Sequence, residues 1–312
     1  MSNQIQDLVK QKLNTELTSS EYHGLKGTFS SSQLKTILED PEVFYKKYVL
    51  FEGEKEEGAH FDIGSYFHTA ILEPHKQDEE CAVFKGIRRG AAWDKFKEEN
   101  KGKAIITEAE MEQAERLINA VKNSPVAMNR IKRGRPEVSA FVRVLVYGSV
   151  IFHPESKASL SKYGWVKCTD KPPKDSIELV LKVRADLLGD DFILDLKSTS
   201  SNAKNEHAMR SSISEYSYDL SAALYLDLFT LADTPKSTFI WTFASKSEKY
   251  ANSKSYKASF NNILVGRAKW KKAVCDLAYY MSTDWQFEDT LGELEPQMYE
   301  LEHIKEKAED LV

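Results

Sequence analysis

RADLLGDDFILDLKST, residues 184–199, is the stretch whose reading decides the fold of this 312-residue chain. Apolar residues rich in Ile, Leu, Val and Phe flank Gly189-Asp190-Asp191, which predicts two strands, 177–188 and 191–197, joined by a tight hairpin. Side chains alternate along a strand, so Asp195 and Lys197 share one face while Leu196 is directed into the core. Asp186 arrives from the adjacent strand. Two converging carboxylates make a hard, oxygen-rich site of the kind that holds Mg²⁺, with Mn²⁺ able to substitute. Such an ion polarises a substrate oxygen and acidifies a bound water, and a neighbouring lysine can position or deprotonate that water. An Asp-x-Lys on a hairpin has a plainer alternative, a surface salt bridge, and the pattern alone leaves both open.

Outward from this hairpin, residues 138–147 and 236–245 have the Val, Ile, Leu and Phe content of further strands. Ser30 to Tyr48 predicts two short helices, opened by a serine run suited to capping and broken at Asp40-Pro41. Gly64 to Glu73 predicts a buried helix carrying His68. Thr107 with Glu110 forms a capping-box pattern ahead of a long helix to about Arg130, so the first third is expected to be helical. A loop over 198–205, a helix over 216–232 and a closing helix over 262–281 follow. No repeat or low-complexity linker interrupts the chain, and a single α/β domain is the economical reading. Three segments are expected: an N-terminal extension (1–28), the main domain (29–285) and an acidic C-terminal tail (286–312).

The composition, 41% hydrophobic and 29% charged, is that of a globular protein. No segment reaches the roughly 20 apolar residues that span a bilayer, and the N-terminus has no signal-peptide core, so a soluble cytoplasmic protein with no membrane partner is expected. Cys81, Cys168 and Cys275 lie too far apart in sequence to suggest a disulfide framework or a metal cluster. A net charge of −5 argues at first against a polyanionic partner. Residues 286–312, however, hold nine acidic residues against Lys305 and Lys307, a balance of −7 that leaves the rest of the chain at +2. The basic residues there are clustered: Lys85, Arg88 and Arg89; Arg130, Lys132, Arg133 and Arg135; Arg267, Lys269, Lys271 and Lys272. Each cluster also reads as an ordinary solvated face.

Taken singly, other residues have ordinary readings. His68 reads as a satisfied core histidine, Glu137 as a strand-end carboxylate, and Tyr218, Ser221 and Tyr225 as the packing face of a helix. Together, GSYFH (64–68), PEVSAF (136–141), RADLL (184–188), DLKST (195–199) and YDLSAALY (218–225) resemble, in that order, the exonuclease domain of RecE (exodeoxyribonuclease VIII) and the wider RecB-like branch of PD-(D/E)XK nucleases. SSSQLKTILEDPEVF (30–44) and RRGAAWDKFKEENKGKAIIT (88–107) are similar to RecE-type sequence as well, and the resemblance spans about residues 28–282.

The resemblance implies a restriction-endonuclease-like α/β core, a central mixed sheet flanked by helices. It also implies a metal held by His68, Asp186, Asp195 and the Leu196 carbonyl, with Lys197 catalytic and Glu137 beside the site. Arg88, Arg89, Tyr218, Ser221 and Tyr225 are then expected to contact DNA or order the site. Ser221 departs from the family, which usually has Gln there. The implied activity is digestion of double-stranded DNA from its 5′ ends, in a bacterial or phage-infected cell. The implied partners are a second copy in a homo-oligomeric ring (trimer or tetramer) and a single-strand annealing protein of phage-type recombination. The branch of relatives that carries an iron-sulfur cluster is excluded by the dispersed cysteines. The rival readings are a catalytically idle nuclease fold that binds DNA or a recombination partner, and an endonuclease of the same fold. No Gly-rich phosphate loop or nucleophile elbow supports a metabolic enzyme.

Overall fold

The computed structural model describes residues 2–52 and 59–287. Eleven strands are found among them: β1 (Leu13–Asn14), β2 (Cys81–Phe84), β3 (Ala104–Thr107), β4 (Arg135–Tyr147), β5 (Val150–His153), β6 (Ala158–Ser161), β7 (Gly164–Lys167), β8 (Ile177–Leu188), β9 (Phe192–Thr199), β10 (Thr238–Ser245) and β11 (Ser253–Lys257). The central sheet runs β11-β10-β9-β8-β4-β5-β6-β7, and β1 adds to β4. It is mixed: β9 and β10 are parallel, and the other named neighbours are antiparallel.

Both faces of the sheet are buried, because each presents apolar residues to helices. On one face Leu179, Leu181, Val183, Ile193, Phe239, Trp241 and Phe243 pack with helices Ser31–Glu39, Tyr218–Leu231 and Phe260–Ser282. On the other, Leu187, Leu194, Leu196 and Ile240 pack with helices Ala59–Leu72 and Glu108–Lys122. Helix Tyr218–Leu231 lies against Phe260–Ser282 so closely that a Cβ on Gly266 would sit 1.9 Å from the Asp219 carbonyl oxygen.

The hairpin forms over Gly189-Asp190-Asp191 as expected, with the Gly189 amide donating to the Phe192 carbonyl at 2.9 Å. Its ladder is short, however. Only Leu187 with Leu194 and Leu188 with Ile193 pair, and beyond them β8 and β9 diverge while β9 stays zipped to β10 along its whole length. The alternation of β8 also changes phase there: Ala185 faces one core, Leu187 the other and Leu188 the first again. Across the β4–β8 pair the register places Glu137 opposite Asp186, and Glu137 takes a left-handed backbone (φ 52°) that kinks β4 at this point.

Several expectations change. The first third is not wholly helical, since β2 and β3 form a parallel pair within it. The long helix predicted to about Arg130 ends at Lys122; Ser124 caps a new helix, Pro125–Ile131, with Pro125 in its first turn. A helix Glu206–Glu215 precedes the one expected near 216. The segment from Leu13 to Tyr22 is drawn onto the sheet: β1 pairs with β4, Tyr22 is buried, Lys182 donates to its carbonyl at 2.6 Å, and Arg184 donates to the Leu17 carbonyl at 2.8 Å. All but the first two residues of the acidic tail lie outside the described residues. Among the described residues no helix is long and apolar enough to cross a membrane.

Candidate active site

The divergence of β8 and β9 opens a wedge, and the expected site residues gather in it. With no strand opposite, the Leu196 amide donates instead to Asp186 Oδ2 at 2.8 Å. The Leu196 carbonyl lies 3.1 Å from His68 Nε2, and His68 Nδ1 lies 3.6 Å from Asp186 Oδ2. His68 reaches this point from helix Ala59–Leu72, on the far face of the sheet from Tyr218. Asp195 and Lys197 leave β9 on one side, as alternation predicts, and Lys197 Nζ donates to Asp195 Oδ1 at 2.7 Å.

The electrostatics follow from burial. Burial pushes the Asp195 carboxyl above the usual carboxylate range, with Asp186 adding to the push and Lys197 opposing it. Burial works to lower Lys197, but the Asp195 and Asp186 carboxylates outweigh it and the ammonium is held above the ordinary lysine value. Glu137 is pushed up to about 8 by burial, then by Asp186, against the pull of Arg184, whose Nη1 lies 3.8 Å from Glu137 Oε2. Two carboxylates that sequence reasoning missed, Glu73 and Glu80, add to this push. Glu80 accepts from Thr69 Oγ1 at 3.3 Å, and Glu73 pairs with Lys76 at 2.7 Å.

Among the described residues, no three His, Cys, Asp or Glu side chains close on one point at metal-holding spacing. The reason is visible at Asp195, whose carboxylate is turned to Lys197. In donor chemistry the set nevertheless fits a hard divalent cation: two carboxylates, one imidazole and a carbonyl freed from strand pairing, in a place where burial makes added positive charge favourable.

The expected DNA-contacting residues divide. Tyr218 belongs to the site, its ring centroid 5.2 Å from Lys197 Nζ. Tyr225 lies two turns further along the same helix with its hydroxyl near Ser31, and burial holds its pKa well above the usual value. Ser221 is half-buried between them. Arg89 is exposed. Arg88 is tied internally: it donates to Asp62 at 2.8 Å, to Glu110 at 2.9 Å and to the Ile105 carbonyl, with Trp93 stacked at 5.2 Å. This is the geometry of a structural tie between three elements. Arg267 and Lys269, read as part of a basic cluster, are likewise internal. Arg267 is buried and grips Asp227 with two bonds of 2.8 Å, and Lys269 grips Asp219 with two of 2.9 Å.

The site also includes Lys35, which sequence reasoning passed over. Its ammonium lies 5.2 Å from the Tyr218 centroid, the same ring that Lys197 approaches. Burial and then the Lys197 charge hold its pKa down to about 8. A signal was present: Lys35 stands beside Leu34 and Leu38 of the apolar face, where a charge is out of place unless it has a use.

Residues 30–149 match a family described as a PDDEXK-like domain of unknown function (DUF3799). That span contains His68 and Glu137 and stops short of β8 and β9. A crystal structure titled "Putative exonuclease" from Eubacterium rectale superposes with a TM-score of 0.56 at 14% identity, over 92% of this chain and 98% of that one. The fold is PD-(D/E)XK-like. No curated protein matches the chain.

Proposed function

We propose that this protein is a metal-dependent deoxyribonuclease that degrades double-stranded DNA from its ends, 5′ to 3′. The observation that carries the reading is the wedge itself: Asp186 and His68 on one side, Asp195 and Lys197 on the other, around a Leu196 carbonyl released from strand pairing and approached by His68 and Lys197. His68, Asp186, Asp195 and that carbonyl would hold Mg²⁺ or Mn²⁺, which when bound polarises the phosphodiester and lowers the pKa of the attacking water. Lys197, kept protonated by its carboxylate neighbours, orients that water by hydrogen bonding and opposes the negative charge that builds on the phosphoryl oxygens. Asp195 fixes the ammonium from one side, and the Tyr218 ring limits its swing from another. Glu137, opposite Asp186, is placed to hold or release a proton near neutral pH.

The finer parts of the proposal rest on the RecE resemblance: processive action as a trimeric or tetrameric ring, and delivery of single strands to an annealing protein for phage-type recombination. The test is digestion of linear duplex labelled separately at its 5′ and 3′ ends, with Mg²⁺, with EDTA and with Lys197→Ala, beside closed circular DNA. Loss of 5′ label from linear DNA alone, abolished by EDTA and by the substitution, is the expected result. Cutting of the circle would replace the exonuclease reading with an endonuclease one. A folded wild type that binds duplex and cuts nothing under any divalent metal would make the protein a binding module.

A further inference from the structure

Among the described residues Lys35 is the ammonium of the site that no carboxylate takes into an ion pair; Asp195 and Asp219 act on it only from a distance. Helix Ser31–Glu39 carries it onto the Asp195 and Lys197 side of the sheet, where that helix packs against Phe260–Ser282. The charged groups around it are already committed to one another. Lys197 takes Asp195 at 2.7 Å, and Lys269 takes both oxygens of Asp219 at 2.9 Å. On this flank three ammonium groups therefore face two carboxylates. Among the contacts of the described residues Lys35 has the Tyr218 ring, which Lys197 also approaches. A half-buried cation without a carboxylate partner costs stability, and a like charge near the same ring costs more, so its packing does not account for it. What would satisfy it is an anion from outside.

We propose that Lys35 is a substrate-binding residue of the site, which takes a phosphate of the DNA backbone lying across Tyr218 between Lys35 and Lys197. This rests on the nuclease reading and adds a residue to it. Two ammonium groups 5.2 Å from the centre of one aromatic ring concentrate positive charge beside the hydrolytic wedge. A phosphodiester settling against them neutralises their mutual repulsion. Because Lys35 addresses the backbone and no base edge, the contact adds affinity without sequence preference.

The experiment is duplex binding by fluorescence anisotropy in EDTA, where nothing is cut, across a salt series for wild type, Lys35→Met and Lys35→Arg, with circular dichroism to confirm folding. Methionine keeps the aliphatic stem on Tyr218 and removes only the charge. One lost phosphate contact should reduce the slope of log K against log salt by about 0.9 and weaken binding about fivefold to tenfold at moderate salt. Arginine should restore both. With Mg²⁺ present, KM should rise in the methionine variant. Unchanged slope and affinity in folded Lys35→Met, with wild type binding and cutting, would overturn the assignment and leave the nuclease reading standing. Wild type that neither binds nor cuts duplex would overturn both.

Discussion

Gly266→Ala sets two known effects against each other, and the structure decides which should win. Gly266 lies within helix Phe260–Ser282, where alanine is intrinsically favoured over glycine by about 1 kcal/mol. An added Cβ, however, would meet the Asp219 carbonyl oxygen at 1.9 Å and the Leu220 amide nitrogen at 3.0 Å. Both are backbone atoms of helix Tyr218–Leu231, and no side-chain rotation relieves the overlap. The helices must part by about 1 Å to reach even the closest contacts that real Cβ atoms make. Overpacking of this kind costs about 1–3 kcal/mol and more where backbone must move. Working from the upper part of that range and subtracting the helix preference leaves a net loss of about 2 kcal/mol. For a domain of this size, that is a fall of about 5 °C in Tm. Thermal unfolding followed by circular dichroism measures it directly. The moving helix also carries Tyr218 and Asp219, so duplex cleavage should fall in parallel. A Gly266→Ala protein as stable as wild type, or more so, would mean that the helices do not approach at Gly266, and the placement of Tyr218 against Lys197 would lose its support.

Two further outcomes follow from buried charge. In EDTA, Glu137 binds its proton more tightly folded (about 8) than unfolded (4.5), so its contribution to stability is lost as pH rises from about 4.5 to 8. Glu137→Gln should flatten that decline in urea titrations and leave stability near pH 4 unchanged; an identical pH profile would show the carboxyl to be freely solvated. Asp227→Ala should cost about 3–5 kcal/mol, because it strands the buried Arg267 guanidinium and the Trp270 indole N–H. The paired change Asp227→Leu with Arg267→Met should recover most of that loss, and strictly additive losses in the cycle would contradict a coupled pair.

The hairpin, its turn and the shared face of Asp195 and Lys197 were legible because they depend only on short-range alternation and turn chemistry. The same holds for the capped helix starts at Ser30, Asp40 and Thr107, where cap and helix are neighbours in sequence. The helix break at Ser124-Pro125 was written in the sequence too, as a cap followed by a first-turn proline, and the amphipathic pattern around it masked the signal. What sequence could not supply was pairing at a distance. Arg88, Arg267 and Lys269 look like free basic residues until Asp62, Glu110, Asp227 and Asp219 are brought to them. Lys35 enters the site through Tyr218, a neighbour 183 positions away. The strands β2 and β3 are short apolar runs whose partner lies across a helix, and runs of that length do not distinguish helix from strand by periodicity.

The early parting of β8 and β9 has a consequence for how the protein tolerates change. Leu196 turns its amide and its carbonyl toward a strand that is not there, and Asp186 and His68 stand in for that strand. The chemistry and the architecture therefore draw on the same two side chains. Asp186→Ala would remove a proposed metal ligand and also loosen the register of β9, so any loss of activity would confound two causes. Asp186→Asn leaves an acceptor for the Leu196 amide and separates them. More generally, a mutation that let the two strands zip further would yield a sturdier sheet and an inert protein, which sets this fold's most favourable local hydrogen bonding against its use.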